Sequence, residues 1–456
     1  MSLTNGSAVK AIVHLDQSGM ASDPPVITLN EAWARKLRIP NRIILRYGSF
    51  NHTVHVATAV KLRGIRLNRA LADKTGLATG NQLLMRYSPG MQTLTLGPLI
   101  GVLIERSSGQ PGKPFGSNTE FCRELSDACR LYGGACVFFT PGDLHQKQTS
   151  ITGWVYHGGW RRASVPIPDV VYNRLTSRKT ENLPVVQQFF KESKTRYNTV
   201  VFNERFLDKT EVFQTLQHEP SVQRYLPESH AFKNFSMLKS MCQKYPIVYL
   251  KPVRGSLGKG IIRIVRKDHG YACQYSTVNG TKTQVYPSLE KLFVAIKGRA
   301  RLQRYQIQEG IRLIQIGSRP IDFRALVQKN RQGKWQVTSI VARIAGSQHF
   351  VSNLARGGTL SRVPEALAKS NVKASSAAVL ASLRQASLAI AEAIDRSIAE
   401  HFGELGIDLA VSEDGHVWLL EVNSKPAKND TTALQREKIR PSVKQIVMYS
   451  HYLCNL

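Results

Sequence analysis

The sequence predicts an α/β (α+β) protein of about three domains: a small β-barrel built from a repeat, an α/β domain, and a larger body of mixed strands and helices. Three observations carry this reading. Residues 27–48 and 65–88 run through one pattern twice. At Leu99, after the turn residues Gly97 and Pro98, apolar strands begin to alternate with helical stretches. In the second half, strand pairs at 247–265 and 407–422 bracket a glycine-rich loop and a polar turn.

The barrel comes first, at 1–97. Ile27, Leu29, Asn30, Ala32, Ala34 and Lys36 recur as Ile65, Leu67, Asn68, Ala70, Ala72 and Lys74, a spacing of 38. The pair Arg46-Tyr47 recurs as Arg86-Tyr87, a spacing of 40. Each unit reads strand, short helix, strand, then a further strand at 52–58 or 92–96. Neither unit can bury its apolar face alone, so the two are expected to interleave as one small barrel, double-psi or swapped-hairpin in type.

Residues 98–190 read as an α/β domain, with strands at 99–104, 135–140 and 170–172 and a helix at 119–131. Residues 191–456 form the remaining body. The stretches 180–224 and 232–244 read mainly helical. Val379, Leu383, Ala386, Ile390, Ile394 and Ile398 recur every three or four positions, the stripe of a long amphipathic helix packed on a sheet. A last helix is expected at 432–453.

The most informative segment is GIDLAVSEDGHVWLLEVNSKP, 406–426. It reads strand (407–411), polar turn (412–416), strand (417–422). Side chains on a strand alternate, so Glu421 and Asn423 share a face, and Asp408 reaches that face if the register allows. Two carboxylates and an amide oxygen suit Mg²⁺, a hard ion that takes oxygen ligands and shares them with nucleotide phosphates. The apolar neighbours Leu419, Leu420 and Val422 argue for a half-buried strand rather than a solvated hairpin.

Upstream, the strand 247–250 delivers Lys251, followed by the loop Arg254-Gly255-Ser256-Leu257-Gly258-Lys259-Gly260 and a second strand, 261–265. This is not a P-loop: Gly260 follows the Gly-Lys pair where Ser or Thr belongs, and a strand follows where a helix belongs. A glycine loop between strands still brings backbone N–H groups close to phosphates, with Lys251, Arg254 and Lys259 adding positive charge.

Together these words resemble the ATP-grasp superfamily, and within it the YheC/YheD family of endospore coat-associated proteins. The resemblance rests on VYNRL (171–175), VVFNERFLDK (200–209), YLP (225–227), VYLKPVRGSLGKGI (248–261), IQEGI (307–311), IDFRALVQKNRQGKW (321–335), VSNLARGG (351–358) and GIDLAV…WLLEVNSKP (406–426). It spans roughly 98–456 in the family's order. It implies an ATP-grasp fold, two α+β subdomains clasping ATP, at 191–456, with a pre-ATP-grasp α/β domain at 98–190.

The resemblance also implies roles. Lys251 would contact the ATP phosphates and adenine side, and Arg254, Gly255, Ser256, Gly258, Lys259 and Gly260 would fold over the β and γ phosphates. Gln308, Glu309, Gly310 and Ile311 would form the hinge whose backbone reads adenine. Asp408, Glu421 and Asn423 would hold one or two Mg²⁺. Arg324 and Arg343 would lie near the transferred phosphoryl group or substrate carboxylate, and Asn353 at the acceptor end. One departure stands out: no acid follows the hinge before Asp322, so Glu309 or Gln315 would have to serve the ribose hydroxyls. The implied activity is an ATP- and Mg²⁺-dependent carboxylate–amine (or thiol) ligase acting through an acylphosphate. The alternative is a non-catalytic ATP-binding protein of spore-coat assembly. The implied partners are ATP, a carboxylate, an amine, and spore-coat proteins.

Composition excludes several other classes. There is no G-x-S-x-G elbow and no H-E-x-x-H zinc motif. No stretch approaches eighteen consecutive apolar residues, and the first residues lack a signal-peptide core, so a cytoplasmic protein without a transmembrane segment is expected. The six cysteines include no C-x-x-C pair and are expected to be reduced thiols, with Cys122 and Cys129 on one helix face. The net charge of +30 will attract polyanions. Its basic residues are spread along the chain, so a generally cationic surface is expected rather than a dedicated nucleic-acid site.

Overall fold

The computed structural model describes residues 8–16, 20–110, 112–253, 260–277, 280–300, 304–346, 358–428 and 439–456. The first sheet is a closed barrel of strands Val9–Leu15, Val26–Asn30, Arg42–Tyr47, Phe50–Ala59, Ile65–Leu67, Gln82–Ser88 and Thr93–Gly97. The two repeats interleave: Val26–Asn30 pairs antiparallel with Ile65–Leu67, and Arg42–Tyr47 lies parallel to Thr93–Gly97. The repeated asparagines explain much of the pattern. Asn30 caps helix Glu31–Lys36 and Asn68 caps helix Arg69–Thr75. Each also donates across to the other repeat, Asn30 to Leu62 O at 3.0 Å and Asn68 to Pro24 O at 2.8 Å, positions that are again 38 apart. Strand Val9–Leu15, which the repeat does not announce, closes the barrel by pairing with Ile65–Leu67 and Gln82–Ser88.

The second sheet runs Trp160–Pro166, Ser150–Tyr156, Ala135–Phe139, Leu99–Ile104, Val170–Arg174, Val200–Phe202, flanked by helix Thr119–Tyr132. Its inner apolar residues Leu99, Leu103 and Phe139 belong to the same core cluster as the barrel's Leu45 and Leu94. Cys122 and Cys129 are both buried on the inner side of that helix, and the six cysteines are free thiols.

The third sheet runs Ser229–Ala231, Tyr305–Glu309, Ile247–Pro252, Ile262–Lys267, Gly270–Thr277, Gly280–Tyr286, antiparallel throughout. Val248, Leu250, Ile262, Ile264 and Ile307 pack one of its faces against helices Phe235–Lys244 and Leu289–Ala300. The fourth sheet runs Thr359–Arg362, Trp335–Ile344, Arg319–Lys329, Glu404–Val411, Val417–Asn423. Helix Ser376–Ser397 covers its apolar face. By length and composition this helix could cross a bilayer, but Val379, Leu383, Ile390 and Ile394 are buried in the fourth sheet's core. At about 1.5–3 kcal/mol for each large buried side chain, that stripe is a main support of the sheet.

The last helix corrects the sequence reading. It spans Pro441–Leu453, with Pro441 at its first position, where the missing N–H and fixed φ are tolerated. The expected start near 432 lies among residues 429–438, outside the described residues.

Candidate functional site

The fourth sheet builds the site by register. Arg324 lies directly across from Asp408, and Asp408 directly across from Glu421. Asp322 lies across from Arg343 in the adjacent row, and Asn423 follows Glu421 on the same face. A bulge makes this possible. Asp408 pairs with Glu421 but Leu409 pairs with Leu419, so Leu420 is the extra residue of the hairpin. Plain alternation would put Leu419 and Glu421 on one face. With the bulge, Leu419 is fully buried in the core while Glu421 turns to the polar side.

The charges on that side are buried and paired. Arg324 grips both oxygens of Asp408, Nε on Oδ1 and Nη2 on Oδ2, the latter at 2.9 Å. Arg343 donates from Nε to Asp322 Oδ1 at 2.5 Å and places Nη2 3.1 Å from Asp408 Oδ2. Burial alone would raise the Asp408 pKa; the two guanidinium groups outweigh it and hold the carboxyl at about 2. Burial would lower Arg343, yet Asp322 and Asp408 push it up. Asp408 therefore uses three of its roughly four lone-pair positions within the protein. Glu421 is more available: its Oε2 lies 3.2 Å from Lys209 Nζ.

The third sheet presents the opposing wall. Gln306, Gln308 and Lys251 occupy its polar face, opposite the face formed by Ile307 and Leu250. Lys251 Nζ donates to Gln308 Oε1, and Gln308 Nε2 donates to Ser229 Oγ at 2.6 Å. Burial pushes Lys251 down to about 8, and Lys209 adds to this, against the attraction of Glu421 and Asp408. The lysine of the third sheet and the acids of the fourth thus share one cleft.

At the hinge, Glu309 N–H donates to Glu228 O at 3.0 Å and Gly310 N–H to Ile247 O at 2.8 Å. Among the described residues, Ile311 N–H has no backbone partner. Gly310 is needed here because a Cβ would meet Ile247 Cγ2 at 2.3 Å. Glu309 pairs with Val248, so its side chain alternates away from Gln308, toward Tyr245. Its carboxylate thus lies on the other face of the strand from Gln308. Gln315 is exposed in a two-residue strand just beyond.

Gly260 is described, with φ +75° and its carbonyl accepting from Tyr305 Oη at 3.4 Å. Arg254, Gly255, Ser256, Gly258 and Lys259, and likewise Asn353, lie outside the described residues. Sequence reasoning missed Lys209. It stands in the quoted word VVFNERFLDK, but only its place at the start of helix Lys209–Gln217, capped by Asp208, aims it at Glu421. It also missed the anchorage behind Asn423. Ser424 Oγ accepts from Leu207 N at 3.1 Å, Lys425 pairs with Glu181, and Lys428 with Glu404. Burial pushes both lysines down to about 8 against the pull of those carboxylates.

A family model described as "YheC/D like ATP-grasp" matches residues 198–453, more than half of the chain and every described residue of the cleft. The chain belongs to this ATP-grasp family. Endospore coat-associated protein YheD of Bacillus subtilis (strain 168) is 30% identical over 339 residues, 74% of each chain. Endospore coat-associated protein YheC of the same organism is 23% identical over 329 residues, 70% of this chain and 88% of that one. Among solved structures, D-alanine–D-alanine ligase from Bacillus anthracis complexed with ATP is 13% identical, with a TM-score of 0.46, covering 79% of this chain and 99% of that one. By the family model, which spans the third and fourth sheets, this part of the chain has an ATP-grasp fold.

The donor set fits the ion that the fold implies. Among the described residues no three His, Cys, Asp or Glu side chains gather as a metal cage. Asp408, Glu421 and Asn423 instead offer oxygen alone, two carboxylates and an amide, which suits Mg²⁺ completed by phosphate and water.

Proposed function

We propose that this chain is an ATP- and Mg²⁺-dependent ligase that joins a carboxylate to an amine or thiol through an acylphosphate. The observation that carries the reading is the cleft itself: Asp408 fixed by Arg324 and Arg343, Glu421 opposite it, and Lys251 and Lys209 converging on both. Phosphoryl transfer asks a protein for positioning and charge neutralisation rather than a nucleophile, and these are what the cleft supplies.

In this reading Lys251 and Lys209 bind the phosphates, Gln308 and the Ile311 N–H orient adenine, and Glu421 with Asn423 and the remaining Asp408 lone pair holds the metal. Mg²⁺ would neutralise phosphate charge and align the transferred group. Arg324 and Arg343 keep Asp408 ionised and oriented, and their outer edges face the transferred phosphoryl group or the substrate carboxylate. The loop 254–260 is proposed to close over the phosphates, and Asn353 to line the acceptor end. We take 1–97, 98–190 and 191–456 as the domain limits, with strand Val200–Phe202 of the last segment completing the second sheet, and the cytoplasm or the spore coat as the place of action, after the names of the relatives.

The test is phosphate release from ATP and Mg²⁺ over a panel of carboxylates and amines. Acceptor-dependent release, lost in Glu421→Gln, supports the ligase. ATP binding without acceptor-dependent release, together with coat-protein association that survives Glu421→Gln, would favour the assembly role instead.

A further inference from the structure

A cavity of ≈ 340 Å³ lies between the barrel and the second sheet, and its wall shares no residue with the ATP cleft. That volume is in the range of small-molecule sites, about 300–1,000 Å³. Its floor is Tyr47, at the end of barrel strand Arg42–Tyr47 and 1% exposed. Leu77, Val155 and Val165 supply apolar walls. At the open side stand His157, in the turn between Ser150–Tyr156 and Trp160–Pro166, and Arg161, in the latter strand, both exposed.

The polar groups around it divide into two sets. Several are satisfied within the protein: Asn81 Oδ1 accepts from Ala78 N at 2.7 Å, Ser126 Oγ lies 3.2 Å from Cys136 Sγ, and Arg130 pairs with Asp127 at 3.0 Å. Others are not. Among the described residues the Tyr47 hydroxyl makes no hydrogen bond, and neither Arg161 nor His157 meets a carboxylate. Burial, reinforced by Asp169, Cys136 and Cys129, keeps the Tyr47 phenol neutral, so it can both donate and accept. The Tyr47 side chain lines the cavity, and its hydroxyl can take a partner from a guest there. Positive charge at the rim, apolar walls and a neutral hydroxyl at the base together define the guest.

We propose that this cavity binds a small organic acid, its carboxylate at Arg161 and His157, its apolar body against Leu77, Val155 and Val165, and a polar group at its inner end on Tyr47. The site is separate from the nucleotide cleft and stands or falls independently of the ligase reading.

The experiment titrates the full chain with 4-hydroxyphenylacetate, phenylacetate and hexanoate, followed by saturation-transfer NMR and calorimetry, with and without saturating ATP and Mg²⁺. The neutral 4-hydroxyphenylacetamide is the control. At least one acid should bind once per chain with ATP present, and Arg161→Glu should weaken it on the order of tenfold or more, as expected for loss of a charge-assisted contact. The amide should bind correspondingly worse, and Tyr47→Phe should reduce the preference for the hydroxylated acid over phenylacetate. Leu77→Trp, which fills the cavity, should abolish binding; Arg161→Glu, at an exposed position, keeps the test decisive if that variant does not fold. Absence of binding by all three acids would overturn the proposal, as would binding unchanged in Arg161→Glu or displaced by ATP.

Discussion

The two walls of the cleft hold their charges in opposite ways. On the fourth sheet, Arg343, Asp322, Arg324 and Asp408 are neighbours in register and pair among themselves, above the core covered by helix Ser376–Ser397. On the third sheet, Lys251 has an amide partner, Gln308, and its opposing charges, Glu421 and Asp408, lie across the gap. An ion network closed within one sheet keeps its geometry whether or not a ligand is present. A buried lysine facing acids across a gap is poised for something between them, which in the proposed ligase would be phosphate and metal.

The contrast can be broken most sharply at Glu421, the acid least committed to the protein. Glu421→Gln, and with it Asn423→Ala, should abolish Mg²⁺-dependent ATP turnover while circular dichroism and melting stay close to the parent chain, because both side chains face the cleft. Unchanged turnover in Glu421→Gln would remove the metal assignment.

Arg343→Ala attacks the closed network. It leaves Asp322 and Asp408 buried with a guanidinium removed, and should cost about 3–5 kcal/mol in denaturant unfolding. A loss below about 1 kcal/mol would mean that water reaches these carboxylates and the fourth sheet's wall is not the rigid one.

Lys251→Ala tests the other wall. It should weaken ATP binding by about 1.5–3 kcal/mol, the range for a hydrogen bond to a charged group, with little effect on unfolding. Lys259→Ala should cost less. Equal and negligible effects in calorimetry would reduce the glycine loop to an ordinary hairpin.

Acidity sharpens the comparison further. Lys251, held near 8, is charged below that pH and neutral above it. A triphosphate favours the charged form, so binding above pH 8 requires proton uptake. ATP affinity should fall by up to about tenfold per unit between roughly pH 8 and 10. Calorimetry in buffers of different ionisation heat should show that uptake at pH 9, and Lys251→Arg should flatten the dependence. For folding the sign is reversed: the unfolded chain keeps the proton up to about 10.4, so this lysine adds stability as pH rises through the same window.

The smallest effect is expected from removing the barrel. A chain starting near Thr95 keeps every residue assigned to the cleft and should bind ATP with unchanged affinity, although the shared core of Leu45, Leu94, Leu99 and Phe139 means that it exposes apolar surface. Loss of nucleotide binding in a soluble, folded truncated chain would move the domain limit.

The sequence by itself determined a good deal. The 38-residue spacing implied two interleaved units because neither can bury its face alone, and the closed barrel contains both. The hairpin 407–422 followed from local alternation and turn chemistry, as did the stripe Val379 to Ile394, and the quoted words sufficed to reach the ATP-grasp family. The hairpin and the stripe are written in residues a few positions apart, and the repeat and the quoted words need only self-similarity and order along the chain. The tertiary structure decided what depends on distant partners. The bulge at Leu420 shows only in the pairing of two strands. The grip of Arg324 on Asp408 spans 84 positions, and that of Lys425 on Glu181 spans 244. Lys209 meets Glu421 because a capped helix and a sheet converge from opposite ends of the domain. Alternation tells which face a charge occupies; only the packing of one element on another tells which charge it meets there.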